Sequence, residues 1–260
     1  MKKMLTLVLA ILMIATLFTA CGTAKTPETD LSYIKDKGKL VVGITDYAPM
    51  DYKDENGEWI GFDADLARAF AAELGVKVEF VEIDWDNKIL ELDAKTVDCI
   101  WNGMTLTEPV KAAMECANAY MNNAQVVVVP ADKANDYQTI ESLKDLTFAV
   151  ENGSAGQDAV AAIGAANVVA LQDQAAALME VAAGTSDACV IDITMANAMT
   201  GEGTSYADLA KGISLTEEMY GVGFRKDSDL TAAFNDFMAK IKADGSLQAL
   251  ADKYSLTLAD

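Results

Sequence analysis

No histidine occurs anywhere in the 260 residues. That removes the commonest general base and the commonest metal ligand. Arginine is almost as scarce: of 20 basic residues, only Arg68 and Arg225 are arginines. Against them stand 40 acidic residues, for a formal net charge of −20. This balance argues against nucleic acid or an anionic lipid surface as a partner. It mildly favours cationic or zwitterionic solutes. Cysteine is sparse, with Cys21, Cys99, Cys116 and Cys189 and no CxxC spacing, so no zinc site is expected. Cys99 and Cys189 sit inside apolar strand-like runs and read as buried thiols. A bridge between them would have to join different halves of the chain, and none is expected. Low-complexity tracts and short-period repeats are absent too. What remains is long enough for one or two ordinary domains with sizeable cores.

The first residues carry a processing signal. Lys2 and Lys3 precede an apolar and small-residue run from Met4 to Ala20, and Cys21 follows. A basic start, an apolar middle and a small residue at the cut make a secretory signal over 1–20. The cysteine at the cut resembles a bacterial lipoprotein box, in which Cys21 becomes the lipidated end. The alternative is an uncleaved membrane anchor, for which the run is marginally short. Both place the protein at a membrane and outside the cytosol; one acylated end gives attachment rather than insertion. The polar, proline-containing stretch from Gly22 reads as a flexible tether, expected over 21–37.

Beyond it, strand-like and helical patterns alternate. Strands are expected at Leu40–Ile44, Val76–Ile83 and Val97–Trp101, with helices at Asp63–Leu74, Asn87–Ala94 and Thr107–Met114 between and after them. In the first helix Asp63 can cap the start, Leu66, Ala69, Phe70 and Leu74 form an apolar stripe, and Gly75 can end it. Gln125–Pro130 reads as a strand that leaves this unit. The rhythm then restarts with strands at Leu146–Val150, Val168–Leu171 and Ala188–Ile191 and helices from Ala155, at Gln174–Ala183 and at Thr194–Met199. Met219–Phe224 and two amphipathic helices, Leu230–Ile241 and Ser246–Tyr254, close the chain. A repeated βαβαβ rhythm predicts an α/β protein with parallel-type sheets wrapped by helices. Ligands of such sheets bind beyond the carboxyl ends of the strands. The residues there are Thr45, Asp46 and Tyr47; Asp84 and Trp85; Asn102 to Thr105; Glu151 to Ser154; and Asp192.

The helix GFDADLARAFAAELG, Gly61–Gly75, followed by VDCIWNGMT, Val97–Thr105, resembles the signature of the family 3 extracellular solute-binding proteins, the amino-acid receptors of ABC importers. The resemblance runs from about Lys39 to the C-terminus. It implies a two-lobed, periplasmic-binding-protein-like (type II) fold, with lobe 1 at 38–126 and 218–260 and lobe 2 at 127–217. The crossing strands would be Gln125–Val129 and Met219–Phe224. It also implies a monomer that captures a small polar solute, needs no cofactor and no metal, and docks on an ABC permease.

Specific residues follow from the same resemblance. Tyr47 would cover the ligand's side chain, with Asp46 beside it and Trp85 a second candidate. An aromatic face offers apolar contact and attracts cations. Tyr47 could equally be a packing tyrosine, and Trp101 reads better as core. Asn102, Gly103 and Thr105 would form the loop that fixes the ligand's ammonium and carboxylate. Thr105 or Thr107 could instead cap the next helix. Backbone N–H groups at Ser154 and Ala155 open a helix and suit an anion. Asp192 would pair with the α-ammonium, or else cap the helix that follows it.

One departure stands out. The family pattern T-x-T-x-x-R clamps the ligand carboxylate with its arginine, and Val110 stands at that place here. Lys111 is one helical step away, turned by roughly 100°, and a lysine does not reproduce the fork. Three outcomes are open: Lys111 bends in, the helix start at Ser154 carries the anion alone, or the ligand lacks an α-carboxylate. Two other function classes stay open beside transport. One is a sensor that presents bound ligand to a membrane partner. The other is a cyclohexadienyl-dehydratase-like enzyme, which the missing acid–base equipment disfavours.

Overall fold

The computed structural model describes residues 29–259; the signal segment and Cys21 lie outside them. Two five-stranded sheets organise the chain. In the first, the order is Lys77–Glu82, Lys39–Ile44, Cys99–Ile100, Gly223–Phe224 and Glu115–Cys116. Its first three strands are parallel, and Gly223–Phe224 runs antiparallel to both neighbours. The second repeats the plan with Asn167–Leu171, Thr147–Glu151 and Ala188–Asp192 parallel, then Gln125–Pro130 antiparallel, then Leu209–Ser214. The parallel trios are those read from the sequence. Each is extended by an antiparallel neighbour from outside the trio, so both sheets are mixed.

Each trio carries helices because its strands are buried. Lys39–Ile44 is buried from Leu40 onward and Ala188–Asp192 throughout. The helix Phe62–Leu74 covers the first sheet with Phe62, Leu66, Ala67, Phe70 and Ala71. Ala69, expected in that stripe, is exposed, and the stripe is rotated toward Phe62 and Ala67. Gly75 ends the helix at φ 76°, the left-handed conformation glycine adopts without a Cβ penalty. Phe70, Trp101 and Phe234 form the centre of this lobe; the Trp101 and Phe234 rings meet at 4.9 Å and 90°. Edge-to-face pairs of this kind add about 0.5–1.5 kcal/mol beyond burial. Trp101 is therefore core, and Cys99, Cys116 and Cys189 are free thiols.

The structure corrects three expectations. The tether was expected to reach residue 37, but Asp30–Lys37 is a helix, with Thr29 and Ser32 forming a reciprocal cap. Its anchors are distant in sequence: Asp30 pairs with Arg225, Lys37 with the buried Asp98, and Ile34 is fully buried. Asp63 does not cap the Phe62–Leu74 helix; Gly61 does, at φ 129°, where a Cβ would lie 2.1 Å from the Met50 carbonyl oxygen. Asp63 instead accepts bonds from the Gly103 N–H (2.6 Å) and the Tyr120 hydroxyl (2.8 Å). Finally, Gln125–Pro130 is not a crossing strand but an interior strand of the second sheet. An apolar run buried on both faces belongs inside a sheet. The ribbon between the sheets is Met121–Asn123 paired antiparallel with Glu218–Tyr220. The expected strand Met219–Phe224 divides accordingly, its end, Gly223–Phe224, joining the first sheet.

Candidate functional site

Between the two lobes lies a cleft with about 470 Å³ of empty space, part of it open to solvent. From the first lobe it is lined by Trp85, Lys88 and the loop Asn102–Thr105, and by Thr107 and Val110. The second lobe contributes Gln125, Glu151, Gly153, Ser154, Ala155, Asp158, Gln174 and Asp192. Apart from Gln125, which opens the antiparallel strand Gln125–Pro130, both sets stand at the carboxyl ends of parallel strands or on the segments that follow, where the topology leaves a crevice.

Asp192 is the most elaborately held of these residues. It ends the strand Ala188–Asp192 and precedes the helix Ile193–Met199 without capping it by a side-chain bond. One carboxylate oxygen accepts from the amides of Asn123 and Gln125, the latter at 2.7 Å, and the other from the Gln174 amide. Those three donors come from the connecting ribbon, the strand after it and the helix Gln174–Ala183. Burial pushes the Asp192 carboxyl up to about 6, and the three amides oppose that shift. A carboxylate so solvated by amides can stay charged in a dry place and present lone pairs to a cation. Glu218 lies alongside, bonded to the Thr105 hydroxyl and to the same Asn123 and Gln125 amides.

In the same lobe, Ser154 caps the helix Ala155–Ala162 by accepting from the Gln157 N–H. Ser154 and Ala155 line the cleft, and Gly156 approaches the Gln125 side chain so closely that a Cβ would lie 3.0 Å from its Oε1. Lys88 is the only basic residue among those lining the cleft. Its Nζ donates to the carbonyls of Trp85 (3.0 Å) and Gly153 (2.9 Å) and stands 5.0 Å from the Trp85 ring centre. Burial lowers its pKa.

Of the residues expected from the sequence, Trp85, Asn102, Gly103, Thr105, Ser154, Ala155 and Asp192 meet in this cleft. Asp46 and Tyr47 do not line it. Tyr47 is 1% exposed, its ring edge-on to Tyr220 and its hydroxyl bonded to the Tyr220 hydroxyl. It packs against Gly103 from behind rather than covering the cleft. Asp46 is half-buried outside the lining, its pKa raised by burial and by Asp173 of the other lobe. The Asn102 side chain is a brace: it accepts from the Thr45 N–H and hydroxyl and donates to the Thr45 carbonyl and to Asp51. Thr107, not Thr105, caps the helix Glu108–Ala113.

Val110 lines the cleft where the resemblance placed a clamp arginine. Lys111 does not turn in; it pairs with Glu108 on the surface at 3.0 Å. Arg68 is bonded to the Trp59 carbonyl and Asp65, and Arg225 to Asp30 and the carbonyls of Leu92 and Val97. No guanidinium therefore reaches the site. Sequence reasoning did not single out Lys88, Gln125 or Gln174. Lys88 was within reach, three residues after Trp85 and so on the same helical face. Gln125 and Gln174 sit at element starts with no local spacing that ties them to Asp192.

Comparison with known proteins agrees with this geometry. An arginine-binding extracellular protein of Bacillus subtilis (strain 168), ArtP, is 28% identical over 259 residues, covering 98% of both chains. The lysine/arginine/ornithine-binding periplasmic protein of Escherichia coli (strain K12) is 33% identical over 225 residues, covering 81% of this chain and 84% of its own. A crystal structure of a mutant of ArgBP from T. maritima superposes with a TM-score of 0.81 at 34% identity, over 86% of this chain and 98% of that one. The fold is that of the type II periplasmic binding proteins, with two mixed five-stranded sheets. Residues 40–257 match the bacterial extracellular solute-binding proteins, family 3, and the chain belongs to that family.

Proposed function

We propose that this protein is the solute receptor of an ABC importer and captures an amino acid or a related amine by closing its two lobes over it. The carrying observation is the cleft itself: Asp192, cradled by three amides, and the helix start at Ser154 and Ala155, all of the second lobe, line one gap with the Asn102–Thr105 loop of the first. Asp192 takes the ligand's ammonium, and the Thr105 loop and the first-turn N–H groups at 154–155 take polar groups beside it. A closed cleft excludes water, so few such contacts suffice. The ribbon Met121–Asn123 with Glu218–Tyr220 is the hinge, and the closed form is what a permease would recognise. The relatives named above bind arginine, or lysine, arginine and ornithine, by their names, which supports a basic or zwitterionic ligand. Cys21 anchors the mature, monomeric protein to the outer face of the membrane through its lipid.

A thermal-shift screen of the purified protein against amino acids, polyamines and quaternary amines tests this reading. A ligand that binds only the native state raises the melting temperature. Asp192→Ala is expected to abolish the shift for a cationic or zwitterionic hit. An unchanged shift removes Asp192 from the site, and no shift with any amino acid or amine rejects the function.

A further inference from the structure

Glu151 is a second buried carboxylate in the same cleft, and its circumstances differ from those of Asp192. It ends the strand Thr147–Glu151, which runs parallel beside Ala188–Asp192 with Phe148 opposite Ala188 and Ala149 opposite Cys189. The two acids thus leave neighbouring strand ends. Glu151 is 2% exposed and lines the cleft. Its Oε1 is buried without a hydrogen-bond partner, whereas both oxygens of Asp192 have amide donors. A buried carboxylate oxygen left without a donor costs free energy. Such an atom, on a residue that lines a ligand cleft, marks a place for a ligand donor.

The charge around it selects the donor. Asp158 and Asp192 line the same cleft, and only Lys88 opposes them. The Lys88 ammonium is already bonded to two backbone carbonyls. In its carboxylate form Glu151 needs both a donor at Oε1 and a counter-charge; a neutral donor supplies only the first, and a cation supplies both.

We infer that Glu151 forms a second cation subsite, so that the solute carries two positive groups: one at Asp192 and one at Glu151, as in a basic amino acid or a diamine. This rests on the proposed capture function and narrows its substrate class. The electrostatics agree. Burial, then Asp192 and Asp173, push Glu151 up to about 8, while the Thr45 hydroxyl and Lys88 pull it down. The unliganded carboxyl therefore holds a proton at pH 7. A ligand cation arriving at Oε1 favours the carboxylate and expels that proton.

The test compares lysine with norleucine, which differ by the terminal ammonium, by titration calorimetry in two buffers of different ionisation heat. Lysine is expected to bind at least ~10-fold more tightly, the scale of one charge-assisted hydrogen bond. It is expected to release close to one proton per molecule bound at pH 7, and norleucine much less. In Glu151→Gln the lysine-over-norleucine ratio collapses toward one and the extra proton release disappears. Glu151→Asp, which keeps the charge on a shorter arm, retains the proton release with a reduced ratio. Cadaverine, which has both ammonium groups and no carboxylate, is also expected to bind. Binding of neutral amino acids without a preference for lysine, or a ratio and proton count unmoved by Glu151→Gln, overturns this subsite and leaves the capture function standing. Absence of binding by every amino acid and amine overturns both.

Discussion

The Lys88 ammonium and the Gly153 carbonyl are bonded at 2.9 Å across the gap between the lobes. Lys88 opens the helix Lys88–Asp93 of the first lobe, and Gly153 belongs to the loop that leads into the helix Ala155–Ala162 of the second. The same loop is so close to the first lobe that a Cβ on Gly153 would lie 2.6 Å from an Asp86 carboxylate oxygen and 2.7 Å from the Asp86 Cα. Gly153 also holds φ 70°, a region that L side chains rarely adopt. The lobes therefore meet at a contact that only glycine permits, and a lysine bridges it.

Lys88→Met is predicted to loosen that closed contact and weaken every ligand by a similar factor. One charge-assisted bond to a carbonyl is worth about 1.5–3 kcal/mol, so the loss is roughly 10- to 100-fold in affinity. Gly153→Ala is predicted to do the same through the Asp86 clash, while the melting temperature of the unliganded protein changes little. Calorimetry with lysine and cadaverine separates the roles. Equal losses identify a latch between lobes; a loss confined to lysine assigns the Lys88 ammonium to the ligand's carboxylate instead.

Gly103→Ala is predicted to destabilise the first lobe itself. The residue sits at φ 55°, and a Cβ would lie 2.6 Å from the Tyr47 ring and 3.3 Å from the Tyr220 ring. Both rings are buried and locked edge to face, so neither can swing aside. Its N–H also serves the buried Asp63 carboxylate. Strain and overpacking together cost about 2–4 kcal/mol, read as a lower urea midpoint with an unchanged slope. An unaltered midpoint would show that the Tyr47–Tyr220 pair has room to retreat.

Much of this architecture is written in local patterns, and what is not depends on distant partners. Both parallel trios, the Gly75 stop and the Thr107 cap follow from periodicity and from residues within a turn of each other. The strand-end rule also reached Glu151, Ser154 and Asp192. Asp63 was misread because an acidic residue at a helix start usually caps; its true partners, Gly103 and Tyr120, are 40 and 57 residues away. The helix Asp30–Lys37 looks like a tether because its stabilising contacts, Arg225 and Asp98, are equally remote. Tyr47 fits an aromatic lid by position, yet Tyr220 from the returning strand captures it into the core. Nothing in the spacing of Asn123, Gln125 and Gln174 shows that their amides converge on one carboxylate.

Glu151 gives the protein a stability that falls with pH. Its folded-state pKa stands at about 8 against an ordinary 4.5, so the folded chain holds this proton more tightly than the unfolded one. For an acid raised in this way, no penalty exists below the unfolded value. It grows between 4.5 and 8 and is complete above the folded value. Asp192 and Asp63, each raised to about 6 mainly by burial, act in the same direction over a narrower range. They remain in both proteins when Glu151 is replaced. Glu151→Gln is therefore predicted to match the parent near pH 4.5 and to exceed it at pH 9, by on the order of 3 kcal/mol or several degrees of melting temperature. Asp192, Asp173, Lys88 and the Thr45 hydroxyl face the group, and none of them is removed by the substitution. Melting curves of the unliganded proteins from pH 4.5 to 9 check this: the two lines should diverge steadily as the pH rises from about 4.5 to about 8. Parallel lines across that range would mean that Glu151 keeps an ordinary acidity, and that the proton release expected on binding has another source.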